Sequence, residues 1–110
     1  MNNQNLLCLN EIKSRVKQKL HNLFKDDLIA LVLFGSQARG DATVESDVDV
    51  LVVLKNKQVR QSKREEVLDF IVDLCFEFGV LVSFVYVSQA QFETEKSPLL
   101  LNVRREGIVL

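Results

Sequence analysis

The sequence predicts a small α/β (α+β) domain in which helices alternate with strands. Three apolar runs, 28–34, 48–54 and 80–87, have the length and the Val, Leu and aromatic content of buried strands. Two longer segments repeat apolar residues at helical spacing, and Gly or Ser-Pro punctuation stands where one element gives way to the next. The expected order is helix, strand, short helix, strand, long helix, strand and helix.

Each element has its own warrant. Ile12, Val16, Leu20 and Leu23 or Phe24 recur at helical spacing with Lys13, Arg15, Lys17 and Lys19 between them. Residues from about 9 to 24 therefore form an amphipathic helix that covers one face of a sheet. The runs 28–34 and 48–54 are apolar at every position but Asp49, as suits inner strands covered on both faces. Between them a short helix follows Gly35 and ends at Gly40-Asp41-Ala42-Thr43, which returns the chain to a loop. The longest helix covers about 59–78. Val67, Leu68, Ile71, Val72, Leu74, Cys75 and Phe78 mark its buried face, Arg60, Lys63, Arg64, Glu65 and Glu66 its solvated end, and Gly79 its stop. In the strand at 80–87, alternation puts Leu81, Ser83, Val85 and Val87 on one face. Ser88-Gln89-Ala90-Gln91 starts a short helix. Ser97-Pro98 reads as a cap followed by proline at the first helical position, opening a helix that runs to Glu106 with Gly107 as terminator. Ile108-Val109-Leu110 adds a short edge strand or lies along the core.

Two features of this framework carry chemistry. Asp47 and Asp49 are two apart at the head of the second strand, and alternate side chains of an extended chain share a face. Side by side on a segment that seeks burial, two carboxylates repel each other and lose solvation unless a cation neutralises them. Mg²⁺ suits the pair, because it favours hard oxygen ligands and is held by one or two carboxylates plus substrate phosphates. The bland reading is a pair of turn residues opening a strand. Upstream, the first strand ends on Gly35-Ser36. Gly35 lets backbone approach a ligand, Ser36 can cap a helix or bond a phosphate oxygen, and the free N–H groups there attract anions.

Arg39 lies one helical turn after Ser36. It can touch phosphate, or pair with Asp41, Glu45 or the metal carboxylates and brace the loop; bracing is the favoured reading, since ion pairing is the commoner fate of a loop arginine. Asp41 and Glu45 read as solvated loop charges and Gly40 as a backbone device. His21 stands alone, without the spacing of a metal ligand or nucleophile. Lys55, Lys57, Arg60, Lys63 and Arg64 form a solvated basic face, with a nucleotide-phosphate subsite or a contact for an acidic partner as the rarer alternative.

Length and composition bound the function. The 110 residues, 47% of them hydrophobic, fit one domain spanning 1–110 with one core. A formal net charge of −1 offers no basic surface of the kind that long nucleic acid requires. Cys8 and Cys75 lie far apart in apolar periodic segments, without a Cys-x-x-Cys spacing, and are expected to be buried free thiols in a reducing cytoplasm. The N-terminus is polar and no apolar stretch reaches membrane-spanning length, so a soluble cytoplasmic protein is expected.

Gly35-Ser36, ten intervening residues and then Asp47-Val48-Asp49-Val50 resemble the signature of the nucleotidyltransferase superfamily related to polymerase β. The fuller string Gly35-Ser36-Gln37-Ala38-Arg39-Gly40 with Ser46-Asp47-Val48-Asp49 is similar to its minimal nucleotidyltransferases. The resemblance implies the nucleotidyltransferase fold, a small three- to four-stranded mixed sheet backed by helices on one side. It implies ATP as substrate and Mg²⁺, two ions, held by Asp47 and Asp49, with Gly35, Ser36 and Arg39 at the nucleotide phosphates. Many members carry a third carboxylate on the strand after the long helix, and here that place falls on Ser83. Ser83 can act neither as base nor as strong metal ligand. The chemistry then runs on two carboxylates, Asp73 or Glu77 moves in, or the protein binds nucleotide without efficient transfer.

The resemblance also implies a partner. Minimal nucleotidyltransferases are often encoded beside a helical HEPN ribonuclease and can act as its antitoxin, transferring AMP from ATP to a tyrosine of the toxin, so a homo- or hetero-oligomer is expected. Two rivals stand beside this reading: a non-catalytic module that neutralises or scaffolds a HEPN-type partner by contact, and nucleotidyl transfer to a small molecule such as an aminoglycoside.

Overall fold

A computed structural model describes residues 3–35, 47–56 and 58–110, with side chains described from residue 9 onward. The first helix, α1 (Asn3–Phe24), begins upstream of the apolar period, since no Pro or Gly interrupts Asn3 to Cys8. One turn of 3₁₀ helix (Lys25–Asp27) leads into β1 (Leu28–Phe34). Then come β2 (Val48–Leu54), α2 (Gln61–Phe78), β3 (Val82–Ser88), α3 (Gln89–Thr94), α4 (Pro98–Glu106) and β4 (Ile108–Val109).

The strands form a four-stranded mixed sheet in the order β3-β2-β1-β4. β2 and β3 are parallel because α2 carries the chain back between them, while β1 is antiparallel to both β2 and β4. The C-terminal segment takes both roles open to it: Ile108 and Val109 pair with β1, and Leu110, whose N–H donates to the Leu31 carbonyl at 2.9 Å, packs against the core.

Alternation along the strands divides the core in two. Leu31, Leu33, Val48, Val50, Val52, Leu54 and Val82 face α1 and α2, meeting Ile12, Val16, Leu20, Phe24, Val67 and Leu74. Val32, Leu51, Val53 and Val87 face the other way and meet Leu100 and Val103 of α4. Helices thus cover both faces, not one. The cause is local: the side chain of Ser88, the last residue of β3, accepts from the Gln91 N–H and makes a capping box, so α3 starts with no intervening loop and turns the chain onto the second face. Ser97 caps α4 in the same manner, with Pro98 at its start. Gly79 ends α2 in the left-handed region, φ +69°, its N–H donating to Cys75 at 2.8 Å.

The expected inner face of α2 needs correction. Val67 and Leu74 are buried and Phe70, Ile71 and Phe78 pack against the core, but Leu68, Val72 and Cys75 are exposed, so Cys75 is not a buried thiol. Those three lie about 80–140° around the helix from Val67, outside the strip that meets the sheet. The expected short helix after Gly35, with Ser36, Arg39, Gly40, Asp41 and Glu45, lies outside the described residues, as does the side chain of Cys8. Among the described residues no helix is long and apolar enough to cross a membrane.

Candidate functional site

Asp49 is the one charged residue inside β2, and it lies on the face of Leu51 and Val53, toward α3 and α4. The sheet register sets its neighbours. Across the antiparallel pair it stands opposite Phe34, the last residue of β1; across the parallel pair it stands opposite Ser83. Asp49 and Ser83 are both half-buried, and Asp47, just before β2, is exposed. The Ser83 hydroxyl position is therefore on the same face as Asp49, at the end of the sheet where the second core gives way to polar groups.

Gly35 closes the third side. It follows Phe34 directly and has φ +75°, a conformation that L side chains resist. A Cβ built there would lie 2.7 Å from Asp49 Oδ2 and 3.6 Å from Asp49 Cγ. The glycine thus permits the turn after β1 and also leaves room for the carboxylate, a second role that the strand-end position alone does not reveal.

Burial, and after it the charge of Asp47, hold the Asp49 carboxyl above the ordinary carboxylate range. Neither Asp47 nor Asp49 has a hydrogen bond or ion pair among the described residues. Two like charges with no compensating donor among the described residues fit a site for a hard cation, which would offset burial and repulsion together. No group of three or more His, Cys, Asp or Glu converges among the described residues.

The α2 acids do not supply a third. Asp73 is exposed on a helix that covers the opposite face of the sheet. Glu77 is gripped by Arg15 of α1, Nη2 donating to Oε1 at 2.8 Å and Nη1 to Oε2, while the Arg15 guanidinium also sits 5.3 Å from the Phe78 ring centre. Of the basic group, Lys57 lies outside the described residues, and Lys63 is on the opposite sheet face from Asp49. Lys63 lines a hollow of about 370 Å³ with Lys19, Asn22, Leu23, Lys25 and Glu66, at the α1–α2 face, and its ammonium lies over Phe24.

The family described as "Nucleotidyltransferase domain" matches residues 9–106. A protein of Methanocaldococcus jannaschii provisionally named a protein adenylyltransferase is 37% identical over 97 residues, 86% of this chain and 66% of its own length. Another of that organism with the same provisional name is 31% identical over 108 residues, 94% of each chain. This chain therefore spans just under two thirds of the first relative and nearly all of the second. Among solved structures, a chain of a toxin–antitoxin crystal structure with AMP-PNP superposes with TM-score 0.57 at 19% identity, over 99% of this chain and 72% of that one. A chain of the complex of tri-AMPylated Shewanella oneidensis HEPN toxin with MNT antitoxin gives TM-score 0.54 at 20% identity, over 96% and 70%. At such identities these structures speak to the fold.

Proposed function

The chain belongs to the nucleotidyltransferase domain family, and within it we propose that it transfers AMP from ATP, with Mg²⁺, to a hydroxyl of a helical HEPN-type partner, acting as the antitoxin of that pair in the cytoplasm. One observation carries the reading. Asp49 stands between Gly35 and Ser83 with its carboxyl raised by burial and by the charge of Asp47 beside it. Such a pair is costly to a fold that makes no use of a cation. Asp47 and Asp49 are the residues that would hold Mg²⁺, which supplies charge neutralisation on the triphosphate and activation of the attacking hydroxyl.

The residues of the chain do the positioning. Gly35 keeps the carboxylate face clear, and Ser36 and Arg39 are the residues that would meet the phosphates. Transfer forms a bond from the acceptor oxygen to the α-phosphorus and breaks the α–β phosphoanhydride, releasing pyrophosphate. The hydroxyl proton passes to solvent, since Ser83 is no base. The partner is supported by the names of the relatives, provisionally protein adenylyltransferases, and of the structural neighbours, which are toxin–antitoxin complexes. A tyrosine is the acceptor that the likeness to the minimal nucleotidyltransferases implies.

A second reading, a module that neutralises its partner by contact without transfer, is favoured by Ser83 at the place where a third carboxylate would stand. One experiment separates the two. The purified chain is incubated with α-labelled ATP, Mg²⁺ and the product of the neighbouring gene; label on that protein that vanishes with Asp49→Asn supports transfer. A stable unlabelled complex, unaffected by Asp49→Asn, supports contact alone.

A further inference from the structure

On the solvent side of α2, Leu68, Val72 and Phe76 follow one another at intervals of four and are 59%, 44% and 88% exposed. Residues four apart on a helix are surface neighbours, and exposed Cys75 borders the same row. Single exposed apolar side chains are ordinary; a continuous row over two turns, ending in a phenylalanine almost wholly in water, marks an interaction surface. Folding does not require the row, because Val67, Phe70, Ile71, Leu74 and Phe78 already seat α2 on the sheet.

A column of acids runs alongside. Glu65, Asp69 and Asp73 also stand at intervals of four, Asp69 and Asp73 each one residue past a member of the apolar row. All three are exposed and have no hydrogen bond or ion pair among the described residues. Glu66 and Glu77, further around the helix, are engaged by Lys19 at 3.8 Å and by Arg15. Charge then selects the occupant. An anionic lipid surface would be repelled by the column. A second copy docking through the same helix face would set Asp69 and Asp73 against their own kind, which is unfavourable when desolvated. A helix whose apolar seam is edged by Lys or Arg matches both the row and the column.

We infer that the exposed face of α2 docks a basic amphipathic helix of another protein, with Phe76 as its anchor. α2 covers the face of the sheet opposite Asp49, so a helix seated there leaves the carboxylate site open, and the surface is independent of nucleotide chemistry.

The probe is a fluorescein-labelled synthetic helix with Leu at heptad positions a and d and Lys at e and g, titrated with the full chain and followed by anisotropy. Its counterpart has Glu in place of Lys. The Lys helix is expected to bind saturably and the Glu helix about tenfold more weakly or not at all. Phe76→Asp, and separately the double change Asp69→Lys with Asp73→Lys, each lower affinity for the Lys helix about tenfold or more. All three positions are exposed, so melting temperatures should stay near the parent value; Leu68→Gln replaces Phe76→Asp if that variant fails to fold. The inference is overturned if the Lys helix does not bind, if both helices bind alike, or if binding ignores Phe76→Asp. A concentration-dependent dimer in sedimentation equilibrium that Phe76→Asp dissolves would overturn it in favour of a second copy.

Discussion

Replacing Gly35 by valine tests the site at its tightest point. At φ +75° an L side chain costs about 1–2 kcal/mol, and a β-branched one stands at the upper end. The added Cβ would also fall 2.7 Å from Asp49 Oδ2. That atom is the end of a side chain and can rotate away, so the contact costs little stability but removes the carboxylate from its place beside Ser83. Gly35→Val should therefore lose about 2 kcal/mol of stability, roughly 8–16 °C in Tm for a domain of about this size, and lose binding of Mg-ATP. Gly35→Asn divides the two effects, because asparagine tolerates the left-handed region yet carries the same Cβ. It should melt closer to the parent and still fail to bind. Thermal melts followed by isothermal titration with Mg-ATP make the comparison; if both variants fold and bind Mg-ATP as the parent does, the role given to Gly35 in placing Asp49 is refuted.

Further outcomes follow from the same geometry. Asp47→Asn and Asp49→Asn should each abolish Mg-dependent nucleotide binding in calorimetry while leaving circular dichroism unchanged; undiminished affinity in both would sink the site. Asp49 also has a pH signature. A carboxyl whose folded pKa lies above its ordinary value of 3.8 binds its proton more tightly in the folded state, so the metal-free fold loses stability as pH rises from about that value through the folded pKa. Asp49→Asn should remove that loss and raise the metal-free Tm at neutral pH; an unchanged profile would show that burial and Asp47 do not strain the carboxylate. Ser83→Asp sets a third carboxylate opposite Asp49, so it should lower the Tm without metal and regain it with Mg²⁺. Destabilisation that Mg²⁺ and nucleotide cannot rescue would mark this strand face as plain core. Leu51, fully buried between β2 and the C-terminal helices, should cost about 2–5 kcal/mol when changed to alanine, read by urea denaturation. A loss below 1 kcal/mol would contradict a packed second face.

The parts of this protein written in local chemistry were legible from the chain alone. Strands at 28–34 and 48–54, the stop at Gly79 and the helix from Pro98 to Glu106 stand where the apolar runs, the glycine and the Ser-Pro cap put them, because those signals act within a few residues. The Gly-Ser and Asp-Val-Asp strings pointed to the family for the same reason. What separated elements decide was not legible. Leu68, Val72 and Cys75 look as apolar in sequence as Ile71 and Leu74, and which strip of α2 meets the sheet is settled by packing, which seats Val67 and Leu74 and leaves those three outside. Alternation could group Ser83 with Val85 and Val87, but the β2–β3 register, set by the α2 crossover, is what brings it opposite Asp49. The approach of Gly35 to the Asp49 carboxylate depends likewise on the β1–β2 register. Residue type and spacing determined which groups could make a site; the distances among them were decided by strand pairing between residues far apart in the chain, where no local preference reaches.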